Sequence, residues 1–239
     1  ETVGEENHQL ASCCSYKRLI LTNGGVFFVS RHKILEVEQH LFPSSEIRGS
    51  DSLAAKGVLY VKIIKNGIVF NVFGTHLCAW ETNQGSRIKE MEDLQCYIVS
   101  KNIPEGEAVI IMGDFNVDMI HHKQDTFDLM EHLNATSPGL SKRSLKTTCS
   151  SYNTLVGRDG AHKPYQTQWL DYILFSKAHL QPTEANLSVT RVTPTVPFTL
   201  PKSSIRCLPN FFSKKKVIAD LSDHFPLFLQ SVWDGQKNK

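Results

Sequence analysis

The chain has 239 residues, 41% of them apolar, enough for one sizeable core, so a single domain over 1–239 is expected. Its 26 basic and 24 acidic residues leave a formal net charge of +2, which excludes the global positive field of a general nucleic-acid binder. The six cysteines (13, 14, 78, 96, 149 and 207) form no Cys-x-x-Cys pair, which argues against zinc, and no run of 18 or more apolar residues or signal-peptide pattern is visible.

Residues 1 to 18 are polar and without period, and read as a loop. Val/Ile/Phe-rich runs predict strands over Gly25 to Ser30, Gly57 to Ile64, Ile68 to Thr75, Ala108 to Met112, Trp169 to Phe175 and Pro226 to Val232. Lys65-Asn66-Gly67 is an Asn-Gly hairpin signal and makes the strands around it antiparallel neighbours. From Gly85 to Ser100, Ile88, Met91, Leu94 and Ile98 recur at helical intervals among charged residues, which predicts an amphipathic helix with that stripe inward. A shorter helix is expected from Thr126 to Leu133, with Asp125 as its N-cap and Phe127, Met130 and Leu133 inward.

Three of these elements end in chemistry-bearing residues. The run Ala108-Val-Ile-Ile-Met-Gly-Asp-Phe-Asn116 delivers a carboxylate and a carboxamide at a strand end, where positions i and i+2 share a face. Val69-Phe-Asn-Val-Phe-Gly-Thr-His76 ends in an imidazole, and Ser222-Asp223-His224 supplies another carboxylate and imidazole on a loop before Pro226. A base for water, groups that neutralise phosphate charge and a proton source are what phosphodiester cleavage requires.

In order and content, Gly74-Thr-His76, Gly113-Asp-Phe-Asn116, Leu170-Asp-Tyr-Ile173 and Ser222-Asp-His-Phe-Pro226 resemble the endonuclease/exonuclease/phosphatase superfamily. Within it the chain is similar to neutral sphingomyelinases of the bacterial sphingomyelinase C type, from about Thr22 to Leu229. Further matching stretches are Asn23-Gly-Gly-Val-Phe-Phe-Val-Ser30, Lys56-Gly-Val-Leu-Tyr-Val-Lys-Ile63, Arg87-x-Lys-x-Met91, Asn102-Ile-Pro104 and Tyr152-Asn153. The resemblance implies a DNase I-like α/β fold, a four-layer sandwich of two packed, mostly antiparallel sheets flanked by helices. It also implies hydrolysis of sphingomyelin, or a related choline phospholipid, to ceramide and phosphocholine at a membrane surface. Mg²⁺ is the implied cofactor, with Mn²⁺ or Co²⁺ as substitutes, and no nucleic-acid partner is expected.

Roles follow the same resemblance. His224 is the general base, with Asp223 and Asp171 holding its tautomer; His76 and Asn116 meet the phosphate, and Asn153 helps bind it. Asp114 lies near the metal and the leaving oxygen, and Asp114, Asn116 and His224 form the expected metal set. Trp80 is the candidate wall of the choline site, and Asp51 with Lys56 resembles the Asp/Lys switch of eukaryotic relatives. The family places a metal-binding Glu on a strand before the Asn-Gly-Gly-Val segment, whereas only about twenty residues precede it here, with Glu1, Glu5 and Glu6 in a polar stretch. A fold without its early strands and without its principal Glu ligand is therefore expected.

The stretch from Val192 to Lys216 interleaves four prolines with Phe198, Phe211 and Phe212 and ends in Lys214-Lys-Lys216. It resembles the family's membrane-contacting hairpin, where aromatic rings partition into the interface and each lysine gains about 1 kcal/mol from anionic lipid. Two Asn-x-Ser/Thr sequons, at Asn134 and Asn186, suit secretion, so a secreted or membrane-associated location is favoured and the compartment stays open. Two alternatives remain at this stage: a nuclease or other phosphodiesterase of the same superfamily, and a catalytically silent lipid- or phosphate-binding remnant.

Overall fold

The computed structural model describes residues 22–43, 49–139, 146–149, 153–154, 167–196, 198–199 and 217–234. The chain divides into two compact units, one formed by Glu1–Gly139, Leu170–Asn186 and Leu229–Lys239, the other by Leu140–Trp169 and Leu187–Phe228.

The first unit is built on a six-stranded sheet. Its strands are β1 (Ile34–Leu41), β2 (Gly57–Lys65), β3 (Ile68–His76), β4 (Ala108–Asp114), β5 (Ala135–Thr136) and, after an excursion into the second unit, β8 (Asp171–Ser176). They lie in the order β1-β2-β3-β4-β8-β5. The β2–β3 hairpin closes through Asn66 and Gly67 at φ 52° and 80°, both left-handed, as a two-residue turn matched to strand twist requires. β3 and β4 are parallel. That geometry needs a crossover, and α1 (Gln84–Ser100) supplies it. Every other neighbouring pair in the sheet is antiparallel. Each helix ends at a left-handed asparagine: Asn102 (φ 47°) after α1, and Asn134 (φ 43°) after α2 (Lys123–His132). Trp233 packs edge-on against Phe70 and Phe175, with ring centroids 5.1 and 5.7 Å away.

Several expectations need correction. Gly25 to Ser30 is not a strand: Val26 and Phe28 pack on Leu59 and Val61, while Phe27 and Val29 are 71% and 82% exposed. β1, a segment not predicted as a strand, pairs with β2. α2 begins before the expected start and has no side-chain cap; Asp125 lies in its first turn. Its inward row is Thr126, Leu129 and Leu133, so Phe127, one position off that row, is 68% exposed. In α1 the inward row is Arg87, Met91, Leu94 and Ile98, with Glu90 beside it, and Ile88 is partly exposed. β8 starts two residues later than the apolar run suggested.

Short strands make up the second unit. β6 (Thr148–Cys149) pairs with β7 (Thr167–Gln168), and β10 (Phe198–Thr199) pairs antiparallel with β11 (Val217–Ile218). β9 (Glu184–Val189) pairs with β12 (Leu227–Val232), and the division between the units falls within both strands. The Thr183 amide donates to Val232 O at one end of that pair and the Thr190 amide to Pro226 O at the other. Phe211, Phe212, the lysine triplet and residues 1 to 18 lie outside the described residues, as does the side chain of Phe198. No described helix is long and apolar enough to cross a membrane.

Candidate active site

Three strand ends of the first unit stop at one level. His76, the last residue of β3, is the register partner of Asp114, the last of β4, and Asp114 is the partner of Asp171, the first of β8. Directly paired residues on neighbouring strands project from the same face, so an imidazole and two carboxylates share it. His76 Nε2 lies 3.7 Å from Asp114 Oδ2. The chain leaves β4 abruptly: Gly113 adopts φ 143° and Asn116 φ 51°. Asp114 and Asn116 are brought together by a turn rather than by the pleat expected from their spacing. Asp114 Oδ1 accepts the Asn116 amide at 2.8 Å, and the amide of the fully buried Phe115 donates to Leu170 O at 3.0 Å. Asn116 Nδ2 donates to Leu77 O at 2.9 Å, which leaves its carbonyl oxygen as the group it presents elsewhere.

Behind His76 the turn Leu77 to Trp80 is held by side chains from four directions. Lys56, buried and 3.4 Å from Asp51 Oδ2, donates to Leu77 O at 3.2 Å. Asp51 accepts the Ala79 amide. Glu90 accepts both the amide and the thiol of Cys78, each at 2.8 Å, and Arg87 donates to Cys78 O and Trp80 O. Burial pushes the Glu90 carboxyl above its ordinary range against the pull of the two Cys78 donors, and burial draws the Arg87 guanidinium down. Trp80 itself sits at φ 73° and ψ 144°, a conformation that costs a residue with a Cβ about 1–3 kcal/mol. Arg87 and Glu90 escaped sequence reasoning as functional residues. Their signal was their place on the inward side of α1, where charge is out of pattern.

The second unit holds Asn153 and the Ser222–His224 turn. Asn153, buried, donates through Nδ2 to Ser222 O at 2.8 Å. The Ser222 hydroxyl accepts the His224 amide at 3.2 Å and donates to Asp223 Oδ1 at 3.2 Å. Asp223 is exposed, and its Oδ1 accepts the Ser222 hydroxyl. The Phe225 amide donates to Thr147 O at 2.7 Å, which anchors the turn's far side. Its near side is anchored by Asp220, which the sequence did not single out. Arg191 donates to Asp220 through Nε (2.6 Å) and Nη2 (2.9 Å), and Asp220 Oδ2 accepts both the amide and hydroxyl of Thr154 at 2.7 Å.

Burial alone would raise the Asp220 carboxyl, but the Arg191 and Thr154 hydrogen bonds overcome it and hold the pKa at about 2. A folded-state pKa below the unfolded one contributes stability that is present above pH ~4 and lost as pH falls toward 2; here it is roughly 2 kcal/mol. Asp220→Asn is therefore expected to weaken stability to urea at pH 7 and to flatten its decline between pH 4 and 2. An unchanged acid slope in the variant contradicts the assignment.

The donor set of the first unit fits a hard divalent cation. Asp114 and Asp171 offer carboxylate oxygens at one level and Asn116 a carbonyl oxygen, with no thiolate among them.

No family model matches the chain. Over 219 residues it is 30% identical to Sphingomyelinase C of Listeria ivanovii, which covers 89% of this chain and 61% of that protein. It is also 30% identical over 223 residues to Sphingomyelinase C of Bacillus cereus, covering 89% and 62%. Among solved structures, a beta toxin variant from Staphylococcus aureus with bound magnesium ions superposes with a TM-score of 0.75 at 28% identity, covering 91% of this chain and 71% of that one. The chain thus spans about three fifths of the length of these curated relatives.

Proposed function

We propose, on the premise that this chain is a homologue of bacterial sphingomyelinase C and has the DNase I-like fold of the endonuclease/exonuclease/phosphatase superfamily, that it is a phosphodiesterase hydrolysing sphingomyelin to ceramide and phosphocholine. The observation that carries the reading is the alignment of His76, Asp114 and Asp171 at adjacent strand ends, with Asn116 turned back beside them.

In this reading His76 and Asn116 receive the phosphate. Asp114 and Asn116, with Asp171 alongside, are the residues that would hold Mg²⁺, and such an ion when bound supplies Lewis acidity to the phosphoryl oxygens. His224 removes a proton from the attacking water, whose oxygen forms the new bond to phosphorus as the bond to the ceramide oxygen breaks. Asn153 helps bind the phosphate, and Trp80, 45% exposed, faces the choline group. Membrane contact through Phe198, Phe211 and Phe212 belongs to the same proposal.

The test is a substrate panel with Mg²⁺: sphingomyelin vesicles, phosphatidylcholine vesicles and duplex DNA. Phosphocholine release from sphingomyelin above the other two supports the reading. Cleavage of DNA alone favours a nuclease, and turnover of none by folded protein overturns the phosphodiesterase reading.

A further inference from the structure

The turn that follows His76 is secured well beyond what closing a β3–α1 connection demands. The Leu77 amide donates to Asp114 O at 2.9 Å, and Leu77 O takes both Lys56 Nζ and Asn116 Nδ2. Cys78 is held at its amide, its thiol and its carbonyl by Glu90 and Arg87. The Ala79 amide goes to Asp51, and Ala79 O accepts Asn83 Nδ2 at 2.8 Å. Trp80 O accepts Arg87 Nη1 and, at 3.1 Å, the Asn83 amide. Lys56, Asn83, Arg87 and Glu90 are all buried to 6% exposure or less. Burying a cation and an anion on α1 beside a turn is expensive, and here both are spent on Cys78 and on the carbonyl of Trp80. What they hold in place is a tryptophan in a left-handed conformation with nearly half its surface open. Trp80 lies three residues beyond the carbonyl that Asn116 grips, within about 10 Å by chain length.

We infer that Arg87 and Glu90 are positioning residues that fix the Leu77–Trp80 turn, so that the Trp80 indole is a rigid wall for a quaternary ammonium headgroup. An indole face attracts such a cation, and a wall held beforehand loses little freedom on binding. The inference rests on the phosphodiesterase reading above.

The experiment compares kcat/KM for sphingomyelin with that for the ethanolamine-headgroup analogue in mixed micelles. Trp80→Ala is expected to lower the choline preference about tenfold. Arg87→Met and Glu90→Gln are expected to lower the same ratio, Arg87→Lys by less, and Trp80→Ala combined with Arg87→Met to lower it no further than Trp80→Ala alone. Equal losses on both lipids, or additive effects in the double variant, overturn the inference. If wild-type protein turns over neither lipid, the phosphodiesterase reading fails instead. The grip is then judged by ¹⁹F NMR of 5-fluorotryptophan-labelled protein, with the Trp80 line assigned through Trp80→Phe. A Trp80 line that shifts or broadens in Arg87→Lys and Glu90→Gln supports the grip, and an unmoved line overturns it.

Discussion

Asp114→Asn is expected to lower phosphocholine release by about 10³-fold while leaving thermal stability unchanged or slightly raised. The activity loss follows from what the carboxylate does: it sits between His76 and Asp171 at the end of β4, and it is an anionic member of the proposed cation and phosphate site. Loss of one preorganised electrostatic partner of a developing charge is worth about that factor. Stability is spared because the carboxamide keeps an oxygen for the Asn116 amide and because the main-chain bond from Leu77 to Asp114 O is untouched. Removing one of two carboxylates at the same sheet level also relieves like-charge repulsion. Activity and melting temperature measured on one preparation check this; a variant that melts much earlier, or retains activity within tenfold, contradicts it.

Gly113→Ala is expected to damage fold and site together. Gly113 adopts φ 143°, and a Cβ there would lie 1.8 Å from Thr75 O on the parallel partner strand. That contact is with backbone, so no rotamer change relieves it; either β3 and β4 separate or residue 113 leaves its conformation. Strain plus steric conflict is on the order of 4 kcal/mol, a fall in melting temperature of about 8–16 °C for a chain of this size. Separation would move His76 relative to Asp114, so activity should fall even below the melting range. Calorimetry and activity at 15 °C check both parts, and a variant with wild-type melting shows the strand junction to be looser than described.

The strand ends bearing His76 and Asp114 were readable because apolar runs stopping abruptly at polar residues are a strong local signal, and the Asn66-Gly67 hairpin set the register between β2 and β3. The edge of the sheet was not readable. The apolar run at Val26 to Val29 reads as a strand and the charged β1 segment does not, yet it is β1 that pairs with β2, a choice made by tertiary partners that periodicity does not encode. The residues that support the site were hidden for a related reason. Arg87, Glu90, Arg191 and Asp220 act by bonding to turns far away in sequence or on another element, and their worth is invisible until the chain is folded. Asn116 shows the remaining gap: its pairing with Asp114 was anticipated, but the cause is a left-handed turn and not the strand pleat.

The proposed phosphodiester reaction turns on His224 as the base that takes the proton of the attacking water. The most direct test is the rate of phosphocholine release from sphingomyelin vesicles in Mg²⁺, as a function of pH, for wild type beside His224→Ala. The wild-type rate is expected to fall as pH drops through the imidazole range, and the variant to be slower by at least about 10²-fold with that limb gone. A variant that keeps the wild-type rate and the same acid limb would contradict it.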